Sequence, residues 1–377
     1  MTDIAHRYLR LGLRLGRLQD GLLDTYIGPR EIAEAVSAEA PPTPQTVAAG
    51  AEALLEELPD SWLRDQVTGI RTYARALTGE PLSFADEVEG CYGTQVAFTD
   101  ESVFETAHEQ LSDLLPGPQS LAERYDRWRH SMRVPADRMA PLVVDAVELG
   151  RTWTQQLVAL PAEEHLEVEL VEGQPWSGFH HYLGNFRGRV RINTDTPRTV
   201  LSLLWLVLHE TYPGHQAESA LKEELLVQQG GRLEETITLV PTPQTLISEG
   251  LAEVAPDLVL DGPDAAALAS RLNMDLPHAR AVQKAAAPLR WAEVNAAMLA
   301  FKPGSSDSDV RAYLRRWRLI EGAAAAELMR FVRQPAHRTY VAVYPVGREL
   351  CQTFMNGDRQ QVRRLLTEQV RVSDLDQ

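Results

Sequence analysis

The segment LHETYPGHQAE, residues 208–218, sets His209, Glu210 and His215 close together in the chain. Two imidazoles and a carboxylate so placed can hold a divalent ion and serve a water molecule beside it, the chemistry of a metal-dependent hydrolase. In a zinc-protease helix the two histidines stand four apart and share a face. Here they stand six apart. On an unbroken helix that spacing means a rise of about 9 Å and a rotation of about 240°, so the rings would diverge. Pro213 and Gly214 lie between them. Proline lacks the amide hydrogen and collides with the carbonyl four residues back, that of His209 itself. Glycine adopts backbone angles closed to other residues. The sequence therefore predicts a break at Tyr212-Pro213-Gly214 that absorbs two residues and returns His215 to the side of His209.

Catalytic zinc usually takes three protein ligands. ISEGLAEVA (247–255) supplies a carboxylate, Glu249, at the start of an apolar helical pattern. Glu253 follows one turn later, where a carboxylate could accept the free ring N–H of a ligating histidine. Glu210, next to His209, is the candidate general base for water whose pKa the metal lowers. One Zn²⁺ is the expected cofactor, although nitrogen and oxygen ligands also accept manganese, cobalt or nickel.

These residues need a scaffold. Apolar residues at helical spacing dominate, as in residues 7–27, 47–58, 64–78, 119–131, 139–159, 264–301, 309–333 and 359–370. Proline, glycine and serine interrupt them at 40–46, 115–120, 240–244 and 302–309. HLEVELVEG (165–173) and GRVRINTD (188–195) alternate apolar and polar residues and read as strands, with WSGFHHYLGNFRG as the connecting turn region. Thr196-Pro197 offers a helix start, and TVLSLLWLVLHE after it is apolar almost all round, which predicts a buried helix ending in His209-Glu210. The expected architecture is mainly α with one small inserted β-sheet. Residues 1–160 would form an N-terminal helical lobe and 161–377 a catalytic lobe, the two making one bilobal unit.

HETYPGH followed by ISEGLAE resembles the bacterial family called domain of unknown function 885, itself similar to the gluzincin metallopeptidases. Weaker similarity extends to LLDTYIGP (22–29), LLPGPQSLAERY (114–125) and MRFVRQPAHRTYVAVYPVG (329–347). The resemblance implies a large helical fold with a deep cleft, metal ligands at His209, His215 and Glu249, Glu210 as base, and Glu253 as an acid behind the ligands. Gln216 and Leu251 stand where that family often has a histidine and an aromatic residue.

A tetrahedral intermediate of amide hydrolysis needs a hydrogen-bonding group opposite the metal. Tyr344 is the first candidate, followed by Tyr340, His337 and Arg338. The strand GRVRIN is expected to lie along the cleft and pair with an extended peptide. Asn193 and Arg348 are candidate substrate anchors. His180 and His181 sit in a strand or turn and are not expected as ligands.

Composition bounds the function. The formal charge of −16, with no basic run, disfavours nucleic acid and anionic membranes as partners. Cys91 and Cys351 form no cluster and fit a reducing compartment. The N-terminus is charged throughout, unlike a secretion signal, and the longest apolar run is about half of a bilayer span. A cytoplasmic protein is expected. Three functions fit: hydrolysis of peptides, hydrolysis of a non-peptide amide or ester at the same centre, and non-catalytic binding on an inactive site.

Overall fold

Leu9, Leu11, Leu13 and Leu15 are buried on the first helix, Thr2–Gly16, as their spacing predicts. The helical reading of residues 7–27 overshoots, however. After a turn that includes Gly21 (φ 86°), Leu23–Tyr26 runs extended as β1. It pairs antiparallel with β5, Ile237–Leu239, a partner too distant in the chain to be read from local pattern. The computed structural model describes residues 2–174, 176–334 and 338–375. Most of these residues are helical, as expected, and two small sheets rather than one occur among them.

The second sheet has three strands: β2 (His165–Val171), β3 (Gly178–Gly184) and β4 (Arg187–Asn193). The segment between β2 and β4 is therefore a strand and not a plain connection. β4 lies in the middle, parallel to β2 and antiparallel to β3. Its two edges are thus occupied, which overturns the expectation that GRVRIN pairs with a peptide. The β3–β4 turn holds Asn185 and Phe186 at φ 52° and 60°, the left-handed angles of a tight hairpin. Their N–H groups both donate to Glu223 (3.0 and 3.2 Å), which pins this turn to the helical segment after His215.

The buried helix begins three residues later than Thr196-Pro197 suggested. Thr199 caps it by accepting from the Ser202 N–H (3.0 Å), and the helix runs Val200–Glu210. Leu201, Leu203, Leu204, Leu206 and Leu208 are all buried against β4 and the helix Ala136–Gln155. Each such side chain contributes roughly 2 kcal/mol of apolar transfer free energy, which fixes the helix carrying His209 firmly. A larger core joins the first helices to Leu246, Leu251 and Val343 of two long helices, Pro243–Leu260 and Tyr340–Met355. The continuous apolar pattern of 264–301 is divided into helices Pro263–Arg271, Leu276–Ala286 and Trp291–Phe301, with Pro277 and Pro288 at the restarts. Among the described residues, no helix is long and apolar enough to cross a membrane.

Candidate metal centre

The helix that carries His209 stops at Glu210, and a new one, His215–Lys222, starts with His215 as its first residue. Between them the Tyr212–Pro213 peptide is cis, and the Gly214 N–H reaches back to the Leu208 carbonyl (3.2 Å). Gly214 packs on the carbonyl of His209 so closely that a Cβ would overlap it. The Tyr212 carbonyl abuts Gly150 in the same way, and the Tyr212 hydroxyl is held by Arg151 (2.7 Å) and Glu164. The two glycines and this buried tyrosine let the chain fold back on itself. His209 and His215 consequently meet edge to face, with ring centroids 4.8 Å apart.

Glu249 comes from the second turn of Pro243–Leu260. That helix crosses Tyr340–Met355 in backbone contact, because Gly250 and Gly347 face each other with no room for a Cβ on either. The Glu-Gly and Tyr-x-x-Gly sequences thus serve packing as well as chemistry. The crossing brings the Tyr340 hydroxyl to Glu249 Oε1 as a donor (2.6 Å).

Glu249 Oε2 lies 3.4 Å from His209 Nε2, and Oε1 lies 3.6 Å from His215 Nε2. A charge-assisted hydrogen bond would draw such pairs to about 2.7–2.9 Å. Ligands of a tetrahedral ion with bonds of 2.0–2.1 Å stand about 3.3–3.4 Å apart. Both separations are too long for such a bond and lie nearer the second geometry, and one ligand atom from each of the three residues falls within 4.8 Å of the others. Glu249 Oε2 is buried with no hydrogen-bond donor among the described residues. These residues can hold a divalent metal ion.

Electrostatics agree. Burial alone would lower the His215 imidazole, but the carboxylates of Glu249, Glu210 and Glu218 push it up to about 10. Burial would raise Glu249, yet the two histidines hold it well below the usual carboxylate range. Before a metal enters, His215 carries a proton at neutral pH that the ion must displace. Affinity should therefore fall about tenfold for each unit of acidification below pH 10, and binding near neutrality should release about one proton. Calorimetric metal titration in buffers of different ionisation enthalpy measures that release. An affinity independent of pH over this range would contradict the arrangement.

His215 is also held from behind. Its Nδ1 lies 3.3 Å from the Ser248 hydroxyl, which donates to Glu218 (2.5 Å), and Lys222 donates to the other Glu218 oxygen (2.7 Å). This chain orients the ring, the task first assigned to Glu253. Ser248→Ala is expected to weaken metal binding roughly tenfold while sparing the melting temperature of the metal-free protein. Competition with a fluorescent chelator reads the change; equal affinity would show that the chain does not position the ring.

Glu210 is buried, beside the two histidines, and accepts from the His180 backbone N–H on the outer edge of β3. Burial raises its carboxyl above the ordinary glutamate value. Tyr344 lines the same cavity, edge-on to Tyr340 and beneath the Arg290 guanidinium. Burial holds both phenols well above their usual range, so both remain donors at neutral pH.

Other expected residues stand elsewhere. Glu253 is 2% exposed and accepts twice from Arg290 (2.8 Å each), because one further helical turn carries it past the histidines to the next helix. Arg348 donates to the Glu253 carbonyl and to Asp257, outside the cavity, which removes it as a substrate anchor. Arg338 pairs with Glu87 (3.1 Å) and the Leu82 carbonyl and covers Phe301, so it is a structural cation rather than a catalytic one. Asn193 is buried; its amide donates to the Gln174 and Trp176 carbonyls and thereby shapes the entry to β3 without reaching the cavity. His337 lies outside the described residues. Sequence reasoning missed Asp24, Glu218 and Ser248. Only Ser248 carried a local signal, its position directly before Glu249. His180 is not one of the three ligands; it bonds Gln216 (3.0 Å) and stacks on His215, and burial pushes it down to about 3.

No family model matches the chain, and no curated protein matches it. Among solved structures, the chain is similar to the "putative lipoprotein" of Colwellia psychrerythraea, with a TM-score of 0.54 and 14% identity over 92% of this chain. The chain spans 57% of the length of that protein. At such identity the likeness concerns the fold alone. The M32 carboxypeptidase of Deinococcus radiodurans R1 aligns over 97% of this chain and 88% of its own, at 12% identity and a TM-score of 0.42, too weak to bear on fold or function.

Proposed function

We propose that the chain is a zinc-dependent peptide hydrolase, with His209, His215 and Glu249 holding the ion. We further propose that its relatives are the domain of unknown function 885 family and the gluzincins, as the HETYPGH and ISEGLAE segments suggest. The observation that carries the reading is the convergence of His209, His215 and Glu249, one ligand atom from each within 4.8 Å of the others, with a buried carboxylate directly beside them.

When bound, the ion would polarise both a water molecule and the scissile carbonyl. Glu210 takes the proton of the attacking water and returns it to the leaving amine; its raised pKa suits both transfers. Tyr340 fixes the Glu249 carboxylate, so it positions a ligand. Tyr344, protonated and on the cavity wall, is the donor for charge that develops on the carbonyl oxygen. β3 is an edge strand, and its residues Gly178, Phe179, His180 and Tyr182 line the cavity. An extended peptide laid beside it would meet those outer backbone groups that neither β4 nor Glu210 uses. That supports a peptide over a compact ester.

The test is hydrolysis of a mixed peptide library by zinc-loaded protein, followed by mass spectrometry, with and without a chelator. Cleavage that chelation stops and zinc restores is expected. Cleavage indifferent to metal, or none with zinc at full occupancy, would refute the reading.

A further inference from the structure

Among the described residues, the cavity wall carries six carboxylates, Asp24, Glu210, Glu218, Glu223, Glu235 and Glu249, against one lysine, Lys222, and no arginine. Five of the acids have a defined role. Glu249 belongs to the metal centre and Glu210 beside it is the base. Glu218 takes Lys222 and Ser248. Glu223 accepts from Tyr182 and from the β3–β4 turn. Glu235 accepts from Gln369 (2.7 Å) and Gln244 (3.4 Å). Asp24 receives only the hydroxyl of its neighbour Thr25 (3.1 Å) and has no cationic partner among the described residues.

Asp24 owes its place to a fault in the sheet. Leu23 faces Leu239 and Thr25 faces Thr238, so Asp24 is the extra residue of a β-bulge. Bulges of this kind re-aim a side chain, often beside an active site. The Asp24 side chain lines the cavity, where the surrounding protein raises its carboxyl above the ordinary aspartate value against the opposing pull of the Thr25 hydroxyl and of His215 and His181. β1 also packs against β3, since Ile27 meets Gly184 at the end of the edge strand. A substrate lying along β3 with its carbonyl at the metal centre would pass this carboxylate.

We propose that Asp24 binds a primary ammonium of the substrate, an α-amino group or a lysine-type side chain, beside the metal centre. The inference deepens the peptide-hydrolase reading and rests on it for the choice of an amide ligand. Among the described residues of the cavity wall, the one lysine, Lys222, is taken by Glu218; Arg198, whose Nε and Nη2 are buried without a partner, lies outside the lining, and its charge acts on Glu210. The cavity accordingly favours a peptide's amino end or a basic residue over its carboxyl end.

Calorimetric titration of zinc-loaded protein with three small amides tests this. Leucinamide carries only an α-ammonium, N-acetyl-lysinamide only a side-chain ammonium, and N-acetyl-leucinamide neither. One or both cationic amides should bind about tenfold or more tightly than the neutral one, as a partly desolvated charge pair requires. Whichever gains identifies the source of the ammonium. Asp24→Asn, which keeps the shape and the Thr25 contact, should remove the advantage. Equal binding of all three, or an advantage that survives Asp24→Asn, overturns the proposal. Because the readout is binding, it separates from catalysis: an Asp24-dependent preference without peptide cleavage would refute the hydrolase reading alone. Cleavage with no effect of Asp24→Asn on binding would refute this inference alone.

Discussion

Replacing Glu210 by glutamine is expected to reduce peptide hydrolysis by at least about 1000-fold while leaving the bound metal in place, because general-base catalysis is lost and the ligands are not touched. The amide keeps the volume of the carboxylate and can still accept from the His180 N–H, so the cavity wall should hold its shape. It cannot take a proton from water. The two quantities to measure are kcat on a cleaved library peptide and zinc per chain in the same preparation. Activity within tenfold of the parent, with zinc retained, would remove Glu210 from the mechanism. Loss of zinc would instead make Glu210 a ligand, a role that the convergence of His209, His215 and Glu249 does not give it.

Gly214→Ala is expected to destroy the centre through the backbone. An added Cβ would overlap the His209 carbonyl, and backbone atoms cannot swing aside as the end of a long side chain can. Either the fold-back opens and His215 leaves His209, or the whole segment shifts against Gly150, which has no slack of its own. Overpacking and strain of this kind cost about 3 kcal/mol or more. Thermal unfolding and metal titration of the variant should therefore both change, with metal affinity falling at least about 100-fold, since ligands displaced by even 1 Å no longer share one ion. A variant that melts like the parent and binds zinc as tightly would show that the tight approach of Gly214 to His209 is not needed for the site.

Both expectations rest on features that local sequence displays to different degrees. His209, Glu210 and His215 were legible because proline and glycine have only a few uses between two ligands, and a chain reversal is one of them. Glu249 was legible from an apolar helical pattern that begins beside a lone carboxylate. The buried helix could be read from its unbroken run of leucines, although its cap proved to be Thr199 rather than Thr196. Partners chosen by tertiary packing were not legible. Glu253 lies on the same face as Glu249, yet Arg290 from another helix claims it. Arg348 read as a substrate anchor and Arg338 as a catalytic donor in sequence, but each is occupied by an acid elsewhere in the chain, Asp257 and Glu87.

Sheet pairing was the other blind spot. Alternation revealed β2 and β4 but not which of them would lie in the middle, and order decides which strand can receive a peptide. With β4 flanked on both sides, the edges belong to β2 and β3, and the one that lines the cavity is β3, in a segment whose glycines and paired histidines read as a turn. β1 was hidden inside a helical leucine pattern, because its partner β5 lies far away in the chain. Asp24 went unnoticed with it. A bulge that presents one carboxylate to a cavity leaves no periodic trace in sequence, since it is itself a lapse in the period.

The most direct test of the account is metal content by elemental analysis of the purified chain after zinc loading and dialysis, beside His215→Ala treated identically. The parent should retain about one zinc ion per chain, and the variant, left with two of three protein ligands, less than about a tenth of that. Equal zinc in both proteins, or none in the parent, would contradict the claim that the chain folds back at Pro213-Gly214 to bring His215 onto a shared ion.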